Sequence, residues 1–347
     1  MITEDQSSVV AFLSSPTTHA GAEVERIDTH ASMVFLAGTR AWKLKRAVRY
    51  DYLDYSTANH RRAMCEAEVR INRRTAPALY RGVAPITRQA DGRLEIDGAG
   101  TPVDWLVEMT RFDQSSLFNR MAEAGVLPLP LMAPLAHAIA RFHCTADGRM
   151  NQGGWEAMRG VIDGNAAGFK EEGAGILDPV TCARLTERAR FVLDRGGVLL
   201  DRRRDEGLVR HCHGDLHLRN IVLLDGQPTL FDAIEFNDQI SCIDVLYDLA
   251  FLLMDLWRLG LPQHANALWN GYLADTADLG GLPLMPLFLS CRAAVMAKTT
   301  ATSANLQADR GRRVAVMALH QACHSVSTNR LPKAGWARSA SGGASTR

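Results

Sequence analysis

The chain has 347 residues, 47% of them hydrophobic and 22% charged, enough to bury one large core or two moderate ones and too apolar for wholesale disorder. Its 39 Lys+Arg against 38 Asp+Glu leave a formal charge of +1, so no global field recruits nucleic acid or an anionic membrane. The most apolar run, residues 245–261, is broken by Asp248, Asp255 and Arg258, which argues against a membrane span.

Residues 33–36 and 41–45, joined through Ala37-Gly38-Thr39-Arg40, predict a β-hairpin. Ala41, Lys43 and Lys45 share one face of its second strand, Trp42 and Leu44 the other. Lysine is rare here: basic residues are almost all Arg, and two of the five lysines sit in this strand. Residues 56–75 predict a helix with Ser56 or Thr57 as cap, Glu66 and Glu68 along it, and Pro77 after its end. Strands follow at 82–87, 93–96 and 104–109. A helix covers 131–149, a Gly-, Asn- and Ala-rich insertion or mobile loop 151–175, and a further helix 180–193. Short strands at 208–212, 220–224 and 228–231 precede helices filling 244–326. The Ser/Ala/Gly/Arg-rich tail, 330–347, reads as disordered. The acidic N-terminus and seven scattered cysteines, none in a CxxC pair, predict no leader, no disulfide framework and no zinc knuckle, hence a reducing cytoplasm.

The densest chemistry lies in His211-Cys212-His213-Gly214-Asp215-Leu216-His217-Leu218-Arg219-Asn220, followed by an apolar strand and then Phe231-Asp232. Three oxygen-bearing side chains converge in this pattern. Asn220 and Asp232 suit Mg²⁺, which takes hard oxygen donors from one or two protein groups plus substrate phosphates. Asp215 stays free to accept a proton from an attacking hydroxyl. His211, His213 and His217, alternating into a turn, make a poor tetrahedral zinc site.

These residues resemble the catalytic segments of the aminoglycoside phosphotransferase-like kinases, a family of the protein-kinase-like fold. His213-Gly214-Asp215-Leu216-His217-Leu218-Arg219-Asn220 is similar to the family's catalytic loop, Phe231-Asp232 to its metal-binding segment, and Tyr247-Asp248-Leu249-Ala250 to its structural Tyr-Asp-Leu-Ala stretch. Residues 29–36 and Cys65-Glu66-Ala67-Glu68 resemble a bacterial subgroup often fused to a C-terminal P-loop domain. No GxxxxGK[ST] occurs here, so the expectation is a stand-alone form.

The resemblance implies an α+β, bilobal architecture: a small antiparallel-sheet lobe over 1–109, a mainly helical lobe over 110–329, and the tail. It implies an ATP- and Mg²⁺-dependent kinase that moves the γ-phosphoryl group to a hydroxyl of a small molecule. Lys43 would touch the α/β-phosphates and Glu66 would hold it, with Lys45 and Glu68 as rivals. Thr29-His30-Ala31-Ser32 would bend over the phosphates in place of a glycine-rich loop. The backbone of Glu108 and Met109 would meet adenine. Glu235 and Asp238 could begin a carboxylate-lined pocket for a polycationic acceptor. Arg292 and Lys298, on a late helix, read as solvent-exposed. The alternative is a nucleotide-binding regulatory protein, or pseudokinase, without turnover.

Overall fold

In the computed structural model, which describes residues 2–171 and 173–304 together with Val316, Ala318, Leu319 and Ala322, helix α1 (Ser7–Ser14) packs Val9 and Leu13 against a six-stranded sheet. Strands β1 (Val24–Asp28), β2 (Ser32–Ala37) and β3 (Arg40–Lys45) form an antiparallel meander. A small hairpin, β4 (Arg49–Tyr50) and β5 (Leu53–Asp54), leads into α2 (Ala58–Asn72), where Thr57 accepts a capping hydrogen bond from the His60 N–H. Then come β6 (Tyr80–Arg88), β7 (Leu94–Ile96) and β8 (Thr101–Thr110). Strand β8 inserts between β3 and β6, giving the order β1-β2-β3-β8-β6-β7.

Alternation along β3 decides which face does what. Trp42 and Leu44 join Phe35, Ile86 and Leu106 in the core under α1, whereas Ala41 lies in a second core with Val107, Met109 and the α2 residues Cys65 and Val69. Lys43 and Lys45 share the Ala41 face, so the strand's period of two aims both ammonium groups at α2.

Beyond β8 the described chain is mainly helical: α3 (Phe118–Glu123), α4 (Met132–Thr145), α5 (Gly154–Glu171) and α6 (Pro179–Asp205). Next are β9 (Val209–His211), the hairpin β10 (Ile221–Leu224) and β11 (Gln227–Leu230), α7 (Asp238–Ser241) and β12 (Cys242–Asp244), which pairs antiparallel with β9. Helices α8 (Val245–Arg258), α9 (Pro262–Thr276) and α10 (Met285–Ala304) follow. Every residue of α8 from Val245 to Leu256 is buried, which explains why the most apolar run of the sequence belongs to a core helix. No helix among the described residues is long and apolar enough to cross a membrane.

The segment 151–175, expected as a loop, is largely helix α5. Three interior glycines, Gly160, Gly164 and Gly168, obscured it, each costing about 1 kcal/mol against alanine. Met158, Ile162 and Phe169 nevertheless fall on one face and are buried, each worth about 1.5–3 kcal/mol, which outweighs the glycines. Gly168 also gives room to Lys298, whose Cδ would lie 2.7 Å from an added Cβ. The helices expected over 244–326 are present as α8, α9 and α10 as far as residue 304; the remainder and the tail fall outside the described residues, apart from the four single positions.

Candidate active site

The loop carrying Asp215 starts where β9 ends and closes where the β10–β11 hairpin begins. Gly214 has φ +82°, and a Cβ there would sit 3.2 Å from the Ile240 carbonyl oxygen and 3.3 Å from Ile234 Cβ, so the turn requires glycine. Helix α8 braces the loop from behind with two buried carboxylates seven residues apart. Asp248 accepts from the His213 N–H at 3.0 Å and the Gly214 N–H at 2.9 Å; Asp255 accepts from the Leu218 N–H at 3.1 Å. His143 Nε2 meets Asp248 at 3.1 Å, completing its shell.

Arg292 was expected to be exposed, yet it is buried behind this loop. It stacks 3.9 Å from the Tyr247 ring centroid and donates to the carbonyls of Tyr247 and Gly214. Its planar guanidinium lies between rings and carbonyls, an environment a helical period alone does not reveal.

Within the loop, Asn220 Nδ2 donates to Asp215 Oδ2 at 3.1 Å and to the Asp215 carbonyl at 3.0 Å. The Asn220 carbonyl accepts from the Phe231 N–H at 3.0 Å, and His213 Nε2 donates to the Phe231 carbonyl at 2.9 Å, which ties the loop to the residue before Asp232. Asp232 itself sits at φ +61°, a left-handed conformation that costs a non-glycine residue about 1–2 kcal/mol and turns the chain sharply after β11. Its N–H donates to the Tyr80 hydroxyl, and the next N–H, of Ala233, to Asn72 Oδ1 at 2.8 Å.

The side chain of Asp215 remains 38% exposed, with His217 Nε2 at 3.3 Å. Burial works to raise its pKa, but His217, His213 and Arg292 outweigh it and hold the carboxyl below its usual range. It is therefore ionised at neutral pH and able to accept. His217, approached here only as a failed zinc ligand, moves the other way: burial lowers its pKa, Asp215 and Asp255 raise it, and the net direction is up. The three histidines share no ligand sphere, since His211 lies on β9 opposite Cys242 while His213 and His217 serve the loop.

Opposite the loop, the two β3 lysines meet one glutamate. Lys43 Nζ lies 2.8 Å from Glu68 Oε1 and 2.6 Å from Asp232 Oδ1. Lys45 Nζ lies 2.6 Å from Glu68 Oε2 and also bonds Glu235 and the Tyr55 hydroxyl, which in turn donates to Glu235. Burial alone would lower both lysines, but Asp232 with Glu68, and Glu235 with Glu68, raise them well above the ordinary value. Glu68, pushed up by burial and pulled further down by both lysines, ends at about 2. The network binds the sheet and α2 to the segment after β11 through two ammonium groups held among three carboxylates.

This corrects the expectation for Glu66. Two residues along a helix is a rotation of about 200°, so Glu66 points to solvent and pairs with Arg62 at 2.9 Å, while Glu68 faces β3. The rivalry between Lys43 and Lys45 dissolves as well: both hold Glu68. Glu235 is engaged by Lys45 and Tyr55, so it does not open a carboxylate-lined pocket.

Two other expectations are displaced. In the β1–β2 turn, Thr29 Oγ1 accepts from the Ser32 N–H at 2.9 Å and donates to the Ser32 carbonyl, while the Thr29 N–H donates to that same carbonyl. Thr29 and Ser32 thus close the turn on itself, and His30 and Ala31 form its tip. Glu108 and Met109 pair in register with β3 on one side and β6 on the other, with Glu108 bridging Arg40 and Arg81. They are interior to the sheet because β8 runs on to Thr110, so the crossing to the helices falls at residues 111–113, where Phe112 packs edge-on against Phe231.

Solved structures share this arrangement of sheet, loop and helices. A choline kinase from Cryptosporidium parvum matches with a TM-score of 0.55 at 10% identity, covering 94% of each chain. A choline/ethanolamine kinase family protein from Mesorhizobium loti matches at 0.52 and 14%, covering 92% of this chain and 93% of that one. A thermostable mutant of aminoglycoside phosphotransferase APH(4)-Ia, in ternary complex with ADP and hygromycin B, matches at 0.53 and 12%, covering 93% and 99%. The chain has the aminoglycoside phosphotransferase-like kinase fold. Curated relatives of the chain are uncharacterized proteins of Mycobacterium bovis and Mycobacterium tuberculosis, 30% identical over 274 residues. They cover 78% of it, and it spans about half, 53%, of their length. No protein-family model matches it.

The donor set of Asn220 and Asp232 fits a hard cation. Asp232 is 41% exposed and offers a second carboxylate oxygen beyond the one on Lys43. Asn220 turns its Nδ2 to Asp215, which leaves its amide oxygen as the acceptor. One carboxylate and one amide oxygen suit Mg²⁺, whereas the nearby imidazoles of His213 and His217 are engaged by the Phe231 carbonyl and by Asp215.

Proposed function

We propose that the protein is an ATP-dependent phosphotransferase acting on the hydroxyl of a small molecule, with its nucleotide between the sheet and the helical half and the lobe boundary near residues 110–113. The observation that carries this reading is the convergence of Asp215 and Asn220 from the loop, Asp232 from the turn after β11 and Lys43 from β3, three separate stretches of chain, into one set bonded through Phe231. In the transfer, the acceptor oxygen bonds the γ-phosphorus, the bond from that phosphorus to the bridging oxygen breaks to release ADP, and the hydroxyl proton passes to Asp215. Asp215 orients the acceptor as an ionised hydrogen-bond partner. Lys43 exchanges its contact with Asp232 for the nucleotide phosphates while Glu68 keeps it in place. Asn220 and Asp232 would hold Mg²⁺, which neutralises phosphate charge when bound.

The structural neighbours are small-molecule kinases, one of them in complex with ADP, which supports nucleotide use. Thermal unfolding with and without ATP and Mg²⁺, followed by a phosphoryl-transfer screen over hydroxyl compounds, tests the proposal. Stabilisation by nucleotide with transfer to at least one alcohol supports it. Stabilisation without any turnover favours a nucleotide-binding regulatory protein, and no stabilisation removes the kinase reading.

A further inference from the structure

Among the described residues, two groups bring a histidine, a cysteine and an aspartate together. In the first, His143, Cys212 and Asp248, each member is committed to the frame behind the loop. Asp248 accepts from the His213 and Gly214 N–H groups, His143 bonds Asp248 and the Tyr272 hydroxyl, and the Cys212 thiol donates to the Ile243 carbonyl. The second group, His211, Asp238 and Cys242, is placed differently.

Local geometry delivers its three side chains. Cys242 opens β12 and stands directly opposite His211, the last residue of β9, so the antiparallel ladder puts both side chains on one face. Asp238 opens α7, about one helical turn before Cys242. Imidazole, carboxylate and thiol each bring a ligand atom to within 4.8 Å of the other two. Cys242 is buried, His211 half-buried and Asp238 exposed, so the group is open to solvent on one side. His211 Nε2 is buried and has no hydrogen-bond partner, an expense that a ligated cation would remove.

Four charged groups bear on His211, and they balance: Arg74 and Arg149 against Asp147 and Asp238. Arg74 donates to the His211 carbonyl and lies over the Phe142 ring, 4.9 Å from its centroid, so its guanidinium is held by main chain and ring. Arg149 bonds the Cys242 thiol, as does Ser241, and also the Gly148 carbonyl, and it reaches Asp147 at 3.6 Å. Its side chain is 33% exposed, so it can release the thiol to a metal and turn to water.

We propose that His211, Asp238 and Cys242 form a Zn²⁺ site, with water in the fourth position. A nitrogen, an oxygen and a sulfur donor suit this borderline-soft ion and not Mg²⁺. Ligands at about 2.0–2.3 Å in a tetrahedron lie about 3.5 Å apart, so the group closes by about 1 Å, a movement that the exposed Asp238 side chain supplies. Binding forms bonds from the metal to an imidazole nitrogen, a carboxylate oxygen and the sulfur, and the thiol proton leaves to water. The ion would fasten α7 at the root of the loop that carries Asp215, since the Ser241 carbonyl accepts from the Cys212 N–H at 2.8 Å and the Ile240 carbonyl lies against Gly214. The site stands apart from Asn220 and Asp232 and does not depend on the phosphotransferase reading.

The full chain, reduced and saturated with Mg²⁺ so that hard oxygen donors elsewhere are filled, is titrated with Co²⁺ and then with Zn²⁺ as competitor. One equivalent of Co²⁺ should give a near-ultraviolet sulfur-to-metal charge-transfer band that Zn²⁺ displaces. Cys242→Ser should remove the band, and Cys144→Ser, at an exposed cysteine, should leave it. Asp238→Ala, a surface change that spares the fold, should weaken Zn²⁺ binding about tenfold, and His211→Ala about a hundredfold. Absence of the band, its survival in Cys242→Ser, or unaltered Zn²⁺ affinity in Asp238→Ala overturns the proposal. Nucleotide enters neither titration, so failure of the kinase reading shows separately, as absent stabilisation by ATP and Mg²⁺.

Discussion

The loop from His213 to Asn220 and the hairpin from Arg49 to Asp54 are built differently. Behind the loop stand Asp248, Asp255 and Arg292, all buried, so that its N–H groups at 213, 214 and 218 end on carboxylates and its Gly214 carbonyl on a guanidinium. The hairpin has two paired residues per strand, a side-chain bond from Asn237 and bonds of its Asp54 carboxylate, and its two tyrosines are exposed. An interior frame fixes the loop, whereas the hairpin is a surface element whose side chains can change without disturbing that frame.

Breaking the loop should cost most. Asp215→Asn should lower turnover by about 10²–10⁴ while ATP still raises the melting temperature as in the wild type; equal loss of nucleotide binding would contradict a role confined to the acceptor. Asp248→Ala, which removes the buried acceptor of the His213 and Gly214 N–H groups and the carboxylate bonded to His143, should destabilise the fold by about 3–5 kcal/mol, read by urea unfolding. A change below about 1 kcal/mol would mean that the loop does not depend on this carboxylate.

The lysine pair sharpens the contrast between catalysis and framework within one strand. Lys43→Met should abolish nucleotide-dependent stabilisation and leave the unfolding midpoint closer to wild type. Lys45→Met removes a cation at the centre of a buried network and should lower stability by about 3–5 kcal/mol; equal midpoints for the two variants would show the assignment of roles to be wrong. A pH titration of the melting temperature tests Glu68. Its folded pKa of about 2 lies below the ordinary 4.5, so its contribution is complete above pH 4.5 and is lost as pH falls towards 2. Glu68→Gln should flatten that limb of the curve. Smallest of all, Tyr50→Ala should change stability by no more than about 0.5 kcal/mol by chemical denaturation, because the hairpin contributes surface and not core.

Much of the loop was legible because its residues are contiguous: the Asp215-to-Asn220 spacing and the return of Asp232 through a tight hairpin need only local geometry. The β3 face was legible for the same reason, since a period of two places Lys43 and Lys45 together whatever they touch. Glu66 against Glu68 was not, because both lie on α2 and only the angle at which that helix meets the sheet selects one. Arg292 was misread as exposed, because its burial depends on Tyr247 and Gly214, which lie 45 and 78 residues away. Helix α5 was missed where glycines lowered local propensity and distant packing overrode it.

Sequence by itself determined the elements whose period is short and the order of the chemical groups along the chain, because strand alternation and loop spacing are properties of neighbouring residues. Only the tertiary structure decided that two lysines share one glutamate, that Glu235 pairs with Lys45, and that the Arg49–Asp54 hairpin packs its tyrosines towards Phe236. Those are contacts between segments up to 190 residues apart, and their partners are chosen by how the sheet, α2 and the turn after β11 pack, which no local pattern encodes.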